Sequence, residues 1–76
     1  MKVKVYVTLK SGVLDPQGKA IAHSIESLGY SGVQDVRVGK YFELEVEEGP
    51  DLKNKIEAIA DRLLANTVIE NFKVEF

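Results

Sequence analysis

The side chains able to do chemistry in this chain are few and poorly placed for it. His23 is the single histidine and there is no cysteine, so disulfides, thiolate nucleophiles and a multi-histidine metal site are excluded together. His23 follows Ile21 by two positions inside a helical pattern with no nucleophile beside it. A partly exposed or interface position on a helix is expected for it rather than a catalytic base. Glu43, Glu45 and Glu47 recur with period two, on a strand face opposite lysines. Nothing in the pattern indicates an apolar pocket that would raise one of their pKa values, so a solvated, charge-paired sheet face is expected. Gly12, Gly18 and Gly39 stand singly in turns and match no phosphate-binding loop or dinucleotide fingerprint. Tyr6 and Tyr41 point outward among glutamates, which suits contact surface in an oligomer, Tyr6 above all, better than stacking on nucleic-acid bases. No catalytic residue, metal site or bound cofactor is expected.

The elements that would position these groups follow from periodicity. Lys2 to Lys10 alternates, with Val3, Val5, Val7 and Leu9 on one face and Lys2, Lys4, Tyr6 and Thr8 on the other, which predicts a half-buried strand. Asp15 before Pro16 predicts a helix start, because proline lacks the N–H that would be left without a partner there. Ala20, Ile21, Ile25 and Leu28 share a helical face and Gly29 supplies a left-handed stop, giving a first helix from about Pro16 to Leu28. Val33 to Val38 has strand composition, and Tyr41 to Glu47 places Phe42, Leu44 and Val46 on one face. A three-residue loop or bulge around Gly39 to Tyr41 would set Val38 against Phe42 and Val36 against Leu44. Gly49-Pro50-Asp51 breaks the chain and caps a second helix, Asp51 to about Ala65, with Leu52, Ile56, Ile59 and Leu63 facing inward. A last strand carries Phe72, Val74 and Phe76 on one face. The order β-α-β-β-α-β predicts one α+β domain over residues 1–76 of ferredoxin-like type, its four-stranded antiparallel sheet ordered 4-1-3-2 with both helices on one face. Lys2 and Lys4 outward on the first strand and Glu43, Glu45 and Glu47 on the third support placing those two side by side.

Length and charge narrow the function classes. At 76 residues a single core is small, and with disulfides and metal excluded the remaining supplement is association with another chain. The net charge is −2 with no run of basic residues, so nucleic acid is not an expected partner. No apolar stretch approaches the roughly 20 residues that span a bilayer. Strand-like alternation follows Met1 directly, so neither a membrane nor a signal peptide is expected, and a cytoplasmic location is.

Two segments are more specified than folding requires. In Lys10-Ser11-Gly12-Val13-Leu14-Asp15-Pro16-Gln17-Gly18, a glycine sits in the first helical turn, where it costs up to about 1 kcal/mol relative to alanine. Close packing of Gly18 in a tight turn explains it as well as recognition does. Asp35-Val36-Arg37-Val38-Gly39-Lys40-Tyr41 surrounds the odd loop with both charge signs and an aromatic. These two segments, with Val5-Tyr6-Val7-Thr8-Leu9-Lys10, Leu28-Gly29-Tyr30 and Leu63-Leu64-Ala65-Asn66 before Val68-Ile69-Glu70, closely resemble the PurS family over essentially the whole chain. Thr67 departs from the proline common after that asparagine in the family.

PurS proteins are small subunits of phosphoribosylformylglycinamidine synthase. The resemblance implies a noncatalytic role in purine biosynthesis, helping to join a large synthetase subunit, which would bind ATP and magnesium, to a glutaminase subunit that releases ammonia. It also implies a dimer or tetramer. Lys10, Gly12, Asp15, Pro16 and Gly18, with Arg37, Gly39, Lys40 and Tyr41, are the expected partner-facing positions, and Arg37 is the expected anchor for interface carboxylates. The alternative is a ferredoxin-like regulatory domain that binds a small ligand at a dimer interface. An acylphosphatase-like enzyme ranks last, since neither arginine nor asparagine occurs between Lys10 and Gly18.

Overall fold

Alternating valines decide the centre of the molecule. In the computed structural model, which describes all residues Met1–Phe76, strand β1 (Lys2–Leu9) buries Val3, Val5 and Val7 completely. It is flanked by β2 (Gly39–Glu45) and β3 (Glu70–Glu75), both antiparallel to it, in the order β2-β1-β3. The register sets Lys2 opposite Glu45, and Lys4 opposite Glu43 on one side and Glu75 on the other. Lys2 Nζ lies 3.4 Å from a Glu43 carboxylate oxygen. Such exposed pairs contribute about 0–1 kcal/mol each, so burial of the valines, rather than charge, is what forbids a one-residue slip.

Helix α2 (Leu52–Ile59) covers the valine face and continues as a π-helical turn over Ala60–Leu64. Ile56, Ala60 and Ala65 complete the buried cluster, with Phe42, Leu44, Phe72 and Val74 of the flanking strands packed around it. Regular helical spacing predicts Leu63 inward, yet it is 78% exposed. The cause is the Ala65 N–H, which donates to the Ala60 carbonyl at 2.9 Å. Closing the turn over five residues inserts one extra position, and Leu64 and Ala65 take the inward places instead. Asp51 stands at the start of α2 as expected, but with φ 64° and no capping bond to the backbone; its carboxylate accepts the Asn54 side-chain amide at 2.9 Å.

Helix α1 (Pro16–Ser27) forms where the caps require. Asp15 Oδ1 accepts the Gly18 N–H at 2.8 Å, Pro16 begins the helix and Gly29, at φ 92°, ends it. Its destination is the correction. No α1 residue belongs to the core, and the face expected to meet the sheet is open, with Ile21 40% and Leu28 75% exposed. Residues 31–38 run back from α1 without joining a strand. The sheet therefore has three strands rather than four and one helix on its face rather than two. The expected hairpin loop at Gly39 to Tyr41 is also absent, because Gly39 already pairs with Thr8 and Tyr41 with Tyr6. The neighbours that do form keep the predicted order, since β2-β1-β3 is the 4-1-3 part of 4-1-3-2. A compact chain of this length has a radius of gyration of about 11 Å; here it is 15.9 Å, with extents of 51 × 25 × 15 Å. The molecule is a small body with an arm.

Candidate functional site

The two singled-out segments meet at the base of that arm. Asp15 is 5% exposed, and its second oxygen, Oδ2, accepts the Val38 N–H at 2.8 Å. One carboxylate thus ties the start of α1 to the segment that returns from it. The Val38 amide, the Gly18 amide and the nearby Arg37 guanidinium together outweigh burial and hold the Asp15 carboxyl below its ordinary range. Arg37 closes the same junction, donating from Nη1 to the Val13 carbonyl at 3.1 Å and from Nη2 to the Lys10 carbonyl at 3.3 Å. Gly18 is required by close approach, since a Cβ there would collide with the Val36 carbonyl and stand 2.9 Å from the Asp15 carboxylate. The glycine in the first helical turn is thereby explained by packing. Between the segments lies a shallow cavity of about 240 Å³, lined by Val13, Leu14, Lys19, Asp35 and Arg37 among others.

The remaining expected positions separate. Gly39 lies beside β1, paired with Thr8, where a Cβ would come 2.7 Å from the Val7 carbonyl. Lys40 turns to the core-side rim, 3.8 Å from the Glu70 carboxylate. Tyr41 lies on the opposite, polar face, tilted against Tyr6 with ring centroids 5.1 Å apart. Its hydroxyl donates to Glu43 at 2.9 Å. Partial burial, and then the Glu43 carboxylate, push the Tyr41 phenol up to about 12. The same hydrogen bond, with Lys2 beside it, lowers the Glu43 pKa. His23 is exposed on α1, and no three His, Cys, Asp or Glu side chains are placed to hold a metal.

What sequence reasoning missed is apolar. Leu28 is 75%, Tyr30 68% and Val33 48% exposed along the arm, and Ala22, Ile25, Tyr30 and Val33 border a notch of about 280 Å³. On the outer flank of α2, Ala58, Ile59, Arg62 and Leu63 form a second, about 250 Å³. Periodicity finds an apolar face but is silent on which chain covers it. The arrangement offers contact surface and no cluster of reactive groups.

Residues 2–76 match the family model "PurS: Phosphoribosylformylglycinamidine (FGAM) synthase". The chain belongs to the PurS family. It is similar to the PurS subunit of phosphoribosylformylglycinamidine synthase from Bacillus subtilis (strain 168), 53% identical over 75 residues that cover 97% of this chain and 89% of that one. A solved B. subtilis PurS structure, 53% identical, covers 97% of this chain and 94% of its own with a TM-score of 0.91. A chain in the structure of PurLQS from Thermotoga maritima, 28% identical, covers 97% and 93% with a TM-score of 0.83. This PurS chain is thus a subunit of a ligase of purine biosynthesis, and the regulatory-domain alternative is not favoured.

Proposed function

We propose that this PurS chain contributes docking surface rather than chemistry, as an oligomer that joins the ATP-dependent synthetase subunit to the glutaminase subunit. The observation that carries the reading is the arm: α1 forms completely, yet its apolar face lies outside the only core the chain builds. A helix with that face in water gains little over the unfolded chain, so another polypeptide is needed to cover it. The Thermotoga relative, solved as PurLQS, supports assembly with the larger components.

A second copy is the first occupant of the arm. In the β-α-β-β-α-β order the place beside α2 belongs to α1, and in this chain that flank is open at Ile59, Arg62 and Leu63. Exchange of arms between two copies would seat Ile21, Ile25 and Leu28 there, with Glu26 of one chain available to Arg62 of the other. The base of the arm, from Lys10 to Gly18 with Arg37, would then face the larger subunits, and Lys40, Tyr41 and Tyr6 would add contact from the sheet. Ammonia passing from glutaminase to synthetase must be kept from bulk water, which demands closely docked active sites. ATP and magnesium belong to the large subunit in this reading, and the complex works in the cytoplasm. No helix is long and apolar enough to cross a membrane.

Reconstitution tests it. Synthetase and glutaminase subunits are mixed with and without this chain, and amidine formation is followed with glutamine or with ammonia as nitrogen source. The chain should restore the glutamine-dependent reaction and leave the ammonia-dependent one little changed. Equal glutamine-dependent rates without it would refute the docking role.

A further inference from the structure

The arm meets the body through two connections, residues 10–15 leading out and residues 35–38 leading back, and apolar packing braces neither. No α1 residue joins the core or packs on it, and Gly18 is the one buried position of α1. Gly12 lies at φ 84° with nothing within 4 Å of the place a Cβ would occupy. Two connections without packing make a hinge, free to swing as loops do. Side-chain hydrogen bonds replace the missing packing. Asp15, in the outgoing connection, accepts the Val38 amide of the returning one at 2.8 Å and the Gly18 amide of the helix at 2.8 Å. Arg37, in the returning connection, reaches back to the Val13 and Lys10 carbonyls at 3.1 and 3.3 Å. Those carbonyls stand at the two ends of one turn, since the Val13 N–H donates to the Lys10 carbonyl at 3.1 Å. A guanidinium can hold both ends at once because its donors are set in a planar fork. Each connection thus grips the other, and the arm cannot swing without breaking one of these bonds.

We infer that Asp15 and Arg37 are positioning residues for the glutamine-dependent reaction: they lock the arm at one angle to the body, and that angle sets how closely the docked active sites meet. The inference rests on the docking reading given above. Sequence pattern makes Arg37 an anchor for a partner's carboxylate, yet two of its donors are spent on carbonyls of its own chain. Arg37 therefore acts on the partners through the arm. Its bonds are exposed, and β1 and α2 bury their core without it, so loosening the lock leaves the body folded. Ammonia handed between docked sites tolerates little displacement. A misplacement of about 1 Å can cost on the order of 10²-fold in an assembled reaction, and an opened gap admits water. A swinging arm consequently spills ammonia, and glutamine is hydrolysed without amidine being formed.

The chain has no cysteine, so Ser27→Cys on the arm and Lys53→Cys on α2 take spin labels at two chosen points. Labelled chains diluted into unlabelled ones report the distance within a single chain. Asp15→Asn keeps the shape and removes one of the two acceptors, and Arg37→Lys keeps the charge and removes the fork. Each should broaden the distance distribution. Each should also raise the glutamate released per amidine formed, by about twofold or more, in the reconstituted complex at saturating subunit concentrations. Distances as narrow as in the unchanged chain would overturn the lock, and broadened distances with an unchanged glutamate-to-amidine ratio would overturn its part in the reaction. Full coupling in Arg37→Lys together with its loss in Arg37→Ala would return Arg37 to the role of a charge anchor. A glutamine-dependent rate that does not need the chain defeats the docking reading instead, and the distance measurement, which requires no partner, then still decides the lock.

Discussion

The body and the arm of this chain obey the same local rules and reach opposite outcomes. In the body, β1 and α2 turn their apolar faces toward each other and Val3, Val5, Val7, Ile56 and Ala60 are fully buried. In the arm, α1 has a good cap, a proline start and a glycine stop, and it still buries only Gly18. Local structure is thus settled by short-range chemistry in both regions, whereas burial is settled within the chain for one and left to another chain for the other.

Substitutions can break that contrast, beginning in the body. Ile56→Ala removes a side chain with no exposed surface and should destabilise by about 2–5 kcal/mol, read from denaturant midpoints; a cost under 1 kcal/mol would mean the body is not the folding unit. Next is the junction. Gly18→Val forces a side chain into the Val36 carbonyl, and overpacking of this kind costs about 1–3 kcal/mol. Amide exchange at Val38 should accelerate while Val3 to Val7 stay protected, a pattern that would separate arm from body.

Acid supplies a smaller probe of the same junction. Asp15 has its folded-state pKa lowered by the Val38 and Gly18 amides, so its stabilisation is complete above the unfolded value of about 3.9 and is lost as pH falls through the folded value. Melting temperature should decline over that acid window, and Asp15→Asn should flatten the decline; an unaltered profile in the variant would remove Asp15 from the account. The smallest effect on folding is expected at the tip. Leu28→Ala, at a position 75% exposed, should change the stability of the isolated chain by no more than about 0.5 kcal/mol, while weakening the dependence of melting temperature on protein concentration that self-association imposes.

Much of the body was legible in the sequence because strand alternation reports a two-sided environment directly. The pairing of β1 with β2 was readable from Lys2 and Lys4 against the glutamates, and the register bears it out. α1 was legible to its ends for a related reason, since Asp15, Pro16 and Gly29 act on the neighbouring backbone alone. The destination of α1 was not legible, because Ile21, Ile25 and Leu28 make the same pattern whether their cover is intramolecular or not. The strand expected at Val33 to Val38 failed with it, since its only neighbour would have been β2, and Val38 is held instead by Asp15. Leu63 was misplaced because the π-helical turn shifts the inward position by one residue, a change no periodic template contains. Asp15 and Arg37 were visible as unusual residues; that they bond to each other's segments could be seen only once residues 10–15 and 35–38 were brought together.

The claim at the centre is that α1 finds its burial on another chain. Sedimentation equilibrium over a wide dilution series, with the unchanged chain beside Leu28→Asp, tests it most directly. The account predicts a multiple of the 8.4 kDa chain mass for the unchanged protein and a smaller, still folded species for the variant. A single 8.4 kDa species at every concentration, or identical association in both proteins, would contradict it.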